Sequence, residues 1–565
     1  MTKEKHSPAR WLRLIGLVTL LGLTAYGFAP AQGAGPGSAT VQSKASSAVV
    51  TRPTLRKDFK PGSALSAKQY RILSKELYTI RKQMAPEALS AGGAESAIPL
   101  PEAAQTVPEA AARFHGTPSS LLIGRNNFNN RANTNTCGTG SVLAEPAAAN
   151  EGPNVYYSGN LRHQEFSTNG GATYNCAAAY PAGPAEAPFA FGDTDVIYDH
   201  SRGVTFHSVL YVNSNLTNGV IRIFVRRNIP FGDNCFYTID SDPTLTNVLD
   251  DYPHLGLSNN FLYVNANRVR TVGGSRFWDG AFIRRHNIDQ MADCVAASGN
   301  QINFTNPGGQ RILVPGQGAR DVMYMAWVNT SSQWRVFSWS DKSATVFSTF
   351  VSVSAMTFTP PDVAPDCRGG ANNDNWADSL SANIVGFGVR ATVGGDFVTV
   401  WATTAADASH PQAHVHGAQL RIGASQTSLT LVQQPVIFNA TNCIGGAAAS
   451  TTNDRGDIGV ALAFGSRAGG GGSAVASMVL MKDEFSPGPG AFSAILVATG
   501  THNPTRWGDY LTVRRHAPSG EWFDATAYSL VNGTGLSNVN ARYVEFGRGR
   551  DQQGYLAWRN SVPAT

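Results

Sequence analysis

From residue 119 onward the chain consists of short apolar runs of strand character separated by turn residues, and helical periodicity is absent. In "GVIRIFVRR" (219–227), Ile221, Ile223 and Val225 alternate with Arg222, Phe224 and Arg226; "FLYVNANRV" (261–269) and "DVMYMAWV" (321–328) have the same character. Gly-Gly pairs at 170–171, 273–274, 308–309, 394–395 and 445–446 punctuate these runs. A spaced landmark also recurs, an acidic residue ahead of or opening an apolar strand. It occurs in "GDTDVIYD" (192–199), "DDYPHLGL" (250–257), "ARDVMYMAW" (319–327), "DRGDIGVAL" (454–462) and "RWGDYLTV" (506–513). With "ANIVGFGV" (382–389), which lacks the acid, and "SSLLIGRNN" (119–127), seven unit starts lie roughly 50–75 residues apart. A unit of that length holds four strands and their loops. The expectation for 119–565 is an all-β chain forming a single β-propeller of four-stranded blades, seven by this count and six as the alternative. Separate small domains would need linkers, and none is visible. The ring should close by pairing a C-terminal strand with the N-terminal end of this body, because an open ring leaves edges.

The segments before residue 119 differ. Lys3, Lys5, Arg10 and Arg13 precede an apolar run at 14–29, followed by Ala29-Pro30-Ala31. This is the layout of a secretory signal peptide, 1–31, with cleavage after Ala31. The run of 16 residues is short for a membrane anchor, and no later segment is apolar enough to span a bilayer. The mature chain is therefore expected outside the cytoplasm: secreted, periplasmic or at the cell surface, and monomeric. Residues 32–118 form a low-complexity tail rich in Ala, Pro, Ser and Gly. It holds one helix, about 66–84, with Tyr70, Leu73, Leu77, Ile80 and Met84 on one stripe and Pro86 beyond its end. A solvated spacer is preferred over a helix packed on the body.

Six cysteines make no CxxC pair, which argues against a zinc or redox centre. An even number in an exported chain predicts disulfides. Of 15 possible pairings, the sequential one is expected because it staples neighbouring hairpins: Cys137–Cys176, Cys235–Cys294 and Cys367–Cys443. The whole chain carries +5, but residues 1–118 hold 15 Lys+Arg against 7 Asp+Glu, so residues 119–565 net −3. The body thus lacks the basic surface that nucleic acid requires. Its basic residues are 27 Arg and only Lys342 and Lys482. That bias is read first as compositional, with bidentate carboxylate binding as the alternative. No GxSxG, HExxH or P-loop is present.

Ser167-Thr168-Asn169-Gly170-Gly171-Ala172-Thr173-Tyr174 resembles the Asp-box turn, S-x-D-x-G-x-x-W, of secreted bacterial sialidase-like (BNR-repeat) propellers, with Asn169 for Asp and Tyr174 for Trp. "THNPTRWGDYLTVRRH" (501–516) with "EWFDATAY" (521–528) is similar to the last blade of such proteins, and "DRGDIGVALAF" (454–464) to the one before. The resemblance spans about 119–550 and implies that Ser167, Asn169, Gly171 and Tyr174 form a structural hairpin. Its physics agrees, since Asn folds back on its own backbone and Gly accepts positive φ.

In that family three arginines hold a substrate carboxylate, an Asp is the acid/base and a Tyr assisted by Glu is the nucleophile. The aromatic-Arg-Ile-Pro motif is missing from the body; "YRIL" (70–73) is the nearest match, and Arg125 is only a positional substitute. Tyr543 and Glu545 share a strand face and, with Asp509, are the catalytic candidates. The set is incomplete, so a propeller that binds an extracellular glycan or surface protein is preferred; the alternative is an active exo-glycosidase of sialidase type. The expected site is one tunnel mouth ringed by Asp193, Asp251, Asp321, Asp457 and Asp509. Arg506, Trp507 and Tyr510 are its expected main contacts, helped by Arg455 and Arg320, although each arginine could be neutralised by its neighbouring acid. Arg455-Gly456-Asp457 matches an adhesion tripeptide but is read as architecture. "HPQAHVH" (410–416) is read as a polar loop with incidental histidines, although His414 and His416 share a strand face as metal ligands can. No cofactor or metal is expected.

Overall fold

The computed structural model describes residues 44–60, 69, 72–73, 98–99, 117, 119–128, 137, 144–160, 163–227, 232–304, 313–354, 366–377, 384–392, 395–486, 491–505, 507–508 and 511–562. The predicted signal peptide lies outside them.

Among the described residues the strands form seven antiparallel blades. Blade 1 is Ala147–Glu151, Asn154–Gly159, His163–Ser167 and Asn175–Cys176. Blade 2 is Phe189–Asp199, Val204–Val212, Gly219–Arg226 and Cys235–Ile239. Blade 3 is Val248–Leu257, Phe261–Val272, Ser275–Asn287 and Ala297–Phe304. Blade 4 is Val314–Pro315, Val322–Thr330, Gln333–Ser340 and Thr345–Ser352. Blade 5 is Ile384–Thr392, Gly395–Thr404, His414–Ile422 and a split outer edge, Leu429–Gln433 and Val436–Phe438. Blade 6 is Cys443–Thr452, Ile458–Gly465, Ala476–Lys482 and Ser493–Ala498. Blade 7 is Val513–Arg515, Phe523–Ala527, Arg542–Arg548 and, at its outer edge, Leu121–Phe128.

The first strands of blades 1 to 7 neighbour one another in order, and that of blade 7 returns to blade 1. This is a propeller, closed by pairing Arg542–Arg548 with Leu121–Phe128. Around the axis the ring leaves only the short edges of the first strands, each protected by its neighbours.

Blades pack face to face through apolar side chains. Tyr263 and Ile283 of blade 3 meet Met323 and Trp339 of blade 4; Val398 and Leu420 of blade 5 meet Tyr324 and Val336 of blade 4. Trp401 and Val415 of blade 5 meet Val460 and Leu480 of blade 6. Each aromatic removes on the order of 150–250 Å² from water. Buried arginines take part: Arg285 lies 4.2 Å from the Phe261 ring and 4.3 Å from Trp339. The disulfides are Cys137–Cys176, Cys235–Cys294 and Cys367–Cys443, with Cα separations of 4.9, 6.0 and 6.0 Å. Among the described residues no helix is long and apolar enough to cross a membrane.

Two readings of the sequence are corrected. The acidic landmark does not mark one repeated position. Asp193 and Asp251 lie inside first strands, whereas Asp321 and Asp457 immediately precede second strands. The first strand of blade 4 is only Val314–Pro315 and that of blade 6 is the small-residue run "CIGGAAASTT", so the stronger apolar signal there came from the next strand. The stretch at 119–127 supplies the last strand of blade 7, not the opening of a unit.

The tail is not simply a solvated spacer. Ser47–Thr51 pairs with the outer strand of blade 3, Pro53–Leu55 with that of blade 2 and Lys44–Ala45 with that of blade 4. "SAVVT" and "PTL" carry too little apolar length to read as strands alone, and the unpaired blade edges supply the ladder. Of the expected helix, Gln69, Ile72 and Leu73 are described, and Leu73 is buried with Phe191, Leu210 and Leu249.

Candidate functional site

The Asp-box-like turn joins the third and fourth strands of blade 1. The Ser167 hydroxyl donates to Asn169 Oδ1 at 2.9 Å and accepts from Gly171 N at 2.9 Å; Asn169 Oδ1 also accepts from Thr173 N at 2.9 Å. Gly170 and Gly171 have φ of +63° and +77°, where a side chain is disfavoured. Asn127 Nδ2 donates to Gly171 O at 2.8 Å, and Tyr174 lies edge-on to Tyr157 at 5.7 Å. The turn therefore keys blade 1 onto the last strand of blade 7, with its polar groups consumed in its own fold.

Tyr543 and Glu545 do share a face, but on the third strand of blade 7, and both are 0 % exposed. Arg514, Asp524, Glu545 and Arg125 stand opposite one another in register across all four strands of that blade. Arg125 Nε is 3.8 Å from Glu545 Oε2, which also accepts from the Tyr555 hydroxyl; Arg514 pairs with Asp195 of blade 2. Burial pushes the Asp524 carboxyl well above its ordinary value, and the charge of Glu545 adds to this. Burial, then Asp524 and Glu545, push the Tyr543 phenol up as well. A nucleophilic phenolate needs the opposite shift. The Tyr–Glu pair is thus part of a buried polar seam between blades 7 and 1.

Trp507, expected to stack on a ligand, is also 0 % exposed. It is sandwiched between Tyr528, stacked at 4.1 Å, and Trp376, edge-on at 5.9 Å. This overturns its assignment as a contact: a large aromatic beside a strand start is worth more in the core than on a rim. Arg506, Asp509 and Tyr510 lie outside the described residues. The expected ring of acids is also corrected. Asp193 and Asp251 are buried, and Asp321, exposed, accepts from Asn259 Nδ2 at 2.8 Å. Asp457 is held at 2.8 Å by Arg550, while Arg455 pairs with Asp551, so neighbouring Arg and Asp do not neutralise each other. The Arg-Gly-Asp tripeptide is a tight turn, with Asn453 Oδ1 accepting from Arg455 N and Asp457 N at 3.1 and 2.9 Å.

What the sequence did not reveal is a cavity of about 330 Å³ at the opposite ends of the first strands, where the turns to the second strands meet. Blades 2, 3, 4, 6 and 7 contribute Tyr198 and His200, Asn259, Arg320, Asn453 and Arg515 respectively. Arg320 is exposed there and makes no ion pair among the described residues. Arg515 pairs with Asp454, and Arg202 with Asp199 at 2.9 Å. His200 Nε2 lies 3.2 Å from Arg515 O; burial, then the charge of Arg515, depresses its pKa to about 3, so the ring is a neutral donor. Tyr198 and His200 also border a second cavity of about 420 Å³, lined besides by Pro153, Pro518 and Trp558. Only Arg320 is singled out by the sequence; the rest sit at strand ends and in turns without a shared motif.

A second cluster lies in blade 5. Asp407, His410, His414 and His416 gather at the turn between its second and third strands, and their ligand atoms lie within 4.8 Å of one another. The histidines are buried, which corrects the reading of a polar loop.

No protein-family model and no curated protein matches the chain. Among solved structures, it is similar to a Penicillium chrysogenum α-L-arabinanase at 9 % identity, covering 76 % of this chain and 99 % of that one, with a TM-score of 0.35. It is likewise similar to a Fusarium graminearum GH93 α-L-arabinofuranosidase (8 % identity, 73 % and 95 % covered, TM-score 0.37). A Trypanosoma rangeli sialidase stands at 10 % identity, 64 % and 55 % covered, with a TM-score of 0.35.

Proposed function

We propose that this chain is an exported propeller that binds an extracellular glycan at its axial cavity without hydrolysing it. The observation that carries this reading is the cavity itself: strand ends and turns from five blades set fixed polar groups around a space of about 330 Å³. Such a wall suits a polyhydroxyl ligand, because several fixed donors and acceptors meet several hydroxyls at once. Arg320 supplies a planar, bidentate donor, and Tyr198 an amphipathic ring on which a sugar face can lie. The runner-up, hydrolysis by a Tyr–Glu nucleophile pair, is disfavoured by the complete burial of Tyr543 and Glu545.

Screening the secreted chain on a glycan array, followed by calorimetry of the best hit, tests this. Arg320→Ala and Tyr198→Ala should each weaken binding about tenfold or more with the fold intact. Binding to no glycan, or full affinity in both folded variants, removes the proposal. Turnover of any of a panel of aryl-glycosides removes its non-catalytic part.

A further inference from the structure

The histidine cluster of blade 5 plays no part in the axial cavity, and its geometry is that of a built site. His414 and His416 open the third strand, two residues apart and so on one face. Asp407 and His410 come from the preceding turn, which is closed by its own bonds: Asp407 N donates to His410 O at 2.8 Å, and Asp407 Oδ1 accepts from Ser409 N and His410 N at 2.7 and 2.8 Å. His414 Nε2 lies 2.8 Å from His416 Nε2 and 3.4 Å from Asp407 Oδ2; His410 Nδ1 lies 3.0 Å from Asp407 Oδ1.

The other nitrogen of His414 makes this arrangement informative. Nδ1 lies 3.0 Å from the Gln412 carbonyl oxygen and must donate to it. In the neutral ring the lone pair is then on Nε2, where it accepts from His416 only if that ring carries its proton on Nε2, and where it meets the Asp407 carboxylate oxygen as lone pair against lone pair. A cation among these atoms turns that repulsion into coordination, and a backbone carbonyl orienting the ring from behind is the usual support of a ligating histidine.

We propose that Asp407, His410, His414 and His416 bind one zinc ion, which fastens the turn between the second and third strands of blade 5 to the start of the third. Three ring nitrogens and one carboxylate are the donors of a tetrahedral zinc site; calcium and magnesium would ask for six or more oxygens. Bonds of about 2.0–2.1 Å place tetrahedral ligand atoms about 3.3 Å apart; the two spacings at His414 Nε2, 2.8 Å to His416 and 3.4 Å to Asp407, bracket that value, and the whole set lies within 4.8 Å. The rings are 0–3 % exposed while the Asp407 side chain keeps 18 %, so the ion reaches the site from the carboxylate side. Four protein ligands leave no open position, which makes the ion structural. The acidic group Asp457, Asp483 and Glu484 carries no parallel inference, because Arg550 reaches all three.

The test is metal analysis of the full secreted chain, purified without chelator. About one equivalent of zinc per chain is expected. It should fall at least about tenfold in the His414→Gln/His416→Gln double variant and stay unchanged in His502→Gln, a histidine outside the cluster. Cobalt added to stripped protein should give the intense visible bands of a tetrahedral ion. Zinc no higher than in the folded double variant, or a weak octahedral cobalt spectrum, overturns the proposal. If the double variant does not fold, titration of chelator-stripped wild type decides. Uptake of one equivalent of zinc with a rise in Tm supports the site, and no uptake overturns it.

Discussion

Gly171 stands where the ring of Tyr543 leaves no room for a side chain: a β-carbon there would lie 2.6 Å from Tyr543 Cδ1. The Asp-box-like turn of blade 1 and the third strand of blade 7 are thus fitted to each other at the seam of the ring. Gly171→Ala should cost about 2–4 kcal/mol in chemical denaturation, combining strained φ with a steric clash. Gly152 isolates the first term, with φ +59° and nothing within 4 Å of an added β-carbon. Gly152→Ala should cost only about 1 kcal/mol. Equal costs for the two would refute the fit.

Trp507→Ala should act on stability and not on ligand contact. With Tyr528 and Trp376 on either side, the loss is expected to be about 3–5 kcal/mol. A variant of unchanged Tm would show that the indole is not held in the core.

Arg125→Met removes the cation beside the buried carboxylate of Glu545 and should cost about 3–5 kcal/mol. Arg125→Met/Glu545→Gln should recover part of that loss, because no unpaired charge then remains. A double variant as unstable as the sum of the singles would place the seam's stability elsewhere than in this pair.

Asp250, in the first strand of blade 3, makes stability depend on pH. Burial raises its pKa to about 7, partly offset by the bond from Ser241 N at 2.7 Å. The folded state therefore holds a proton that the unfolded chain, with a carboxyl near 3.9, releases. The resulting stability is full below pH about 4 and is lost as pH rises through about 7. Asp250→Asn should remove this slope and be the more stable protein above pH 7, by on the order of 2–4 kcal/mol. Parallel stability curves from pH 4 to 8 would contradict it.

The blade architecture was legible because strand alternation and turn spacing are set locally, as at Ile221, Ile223 and Val225. Which strand of a blade a given acid introduces was not, because weak first strands such as Val314–Pro315 are stabilised by their neighbours and not by their own residues. The turn at 167–174 could be read because its bonds lie within eight residues. Trp507 misled for the opposite reason: a Trp beside a Tyr looks the same on a rim and in a core until Trp376 and Tyr528, distant in sequence, are placed beside it. Asp407 escaped notice because its relation to His414 and His416 depends on how the intervening turn folds back. Of the axial cavity only Arg320 was legible, since its residues come from strand ends and turns of five blades whose only common property is their position at the ends of first strands.

The strand that completes blade 7 is drawn from Leu121–Phe128, and its partner is Arg542–Arg548. Everything between must be threaded into blades before the two can meet, and ring closure carries the entropy of that whole intervening loop. A chain emerging N-terminus first would present residues 121–128 early, with a hydrogen-bonding edge that only the final blade can satisfy. Until then, blade 7 does not exist and blade 1 has one face unsupported. The order of emergence thus works against the order of assembly, and the closing contact is among the last to form. A premature stop anywhere before residue 542 would remove the closing strand and leave the ring unclosed, exposing the polar seam and the apolar faces beside it.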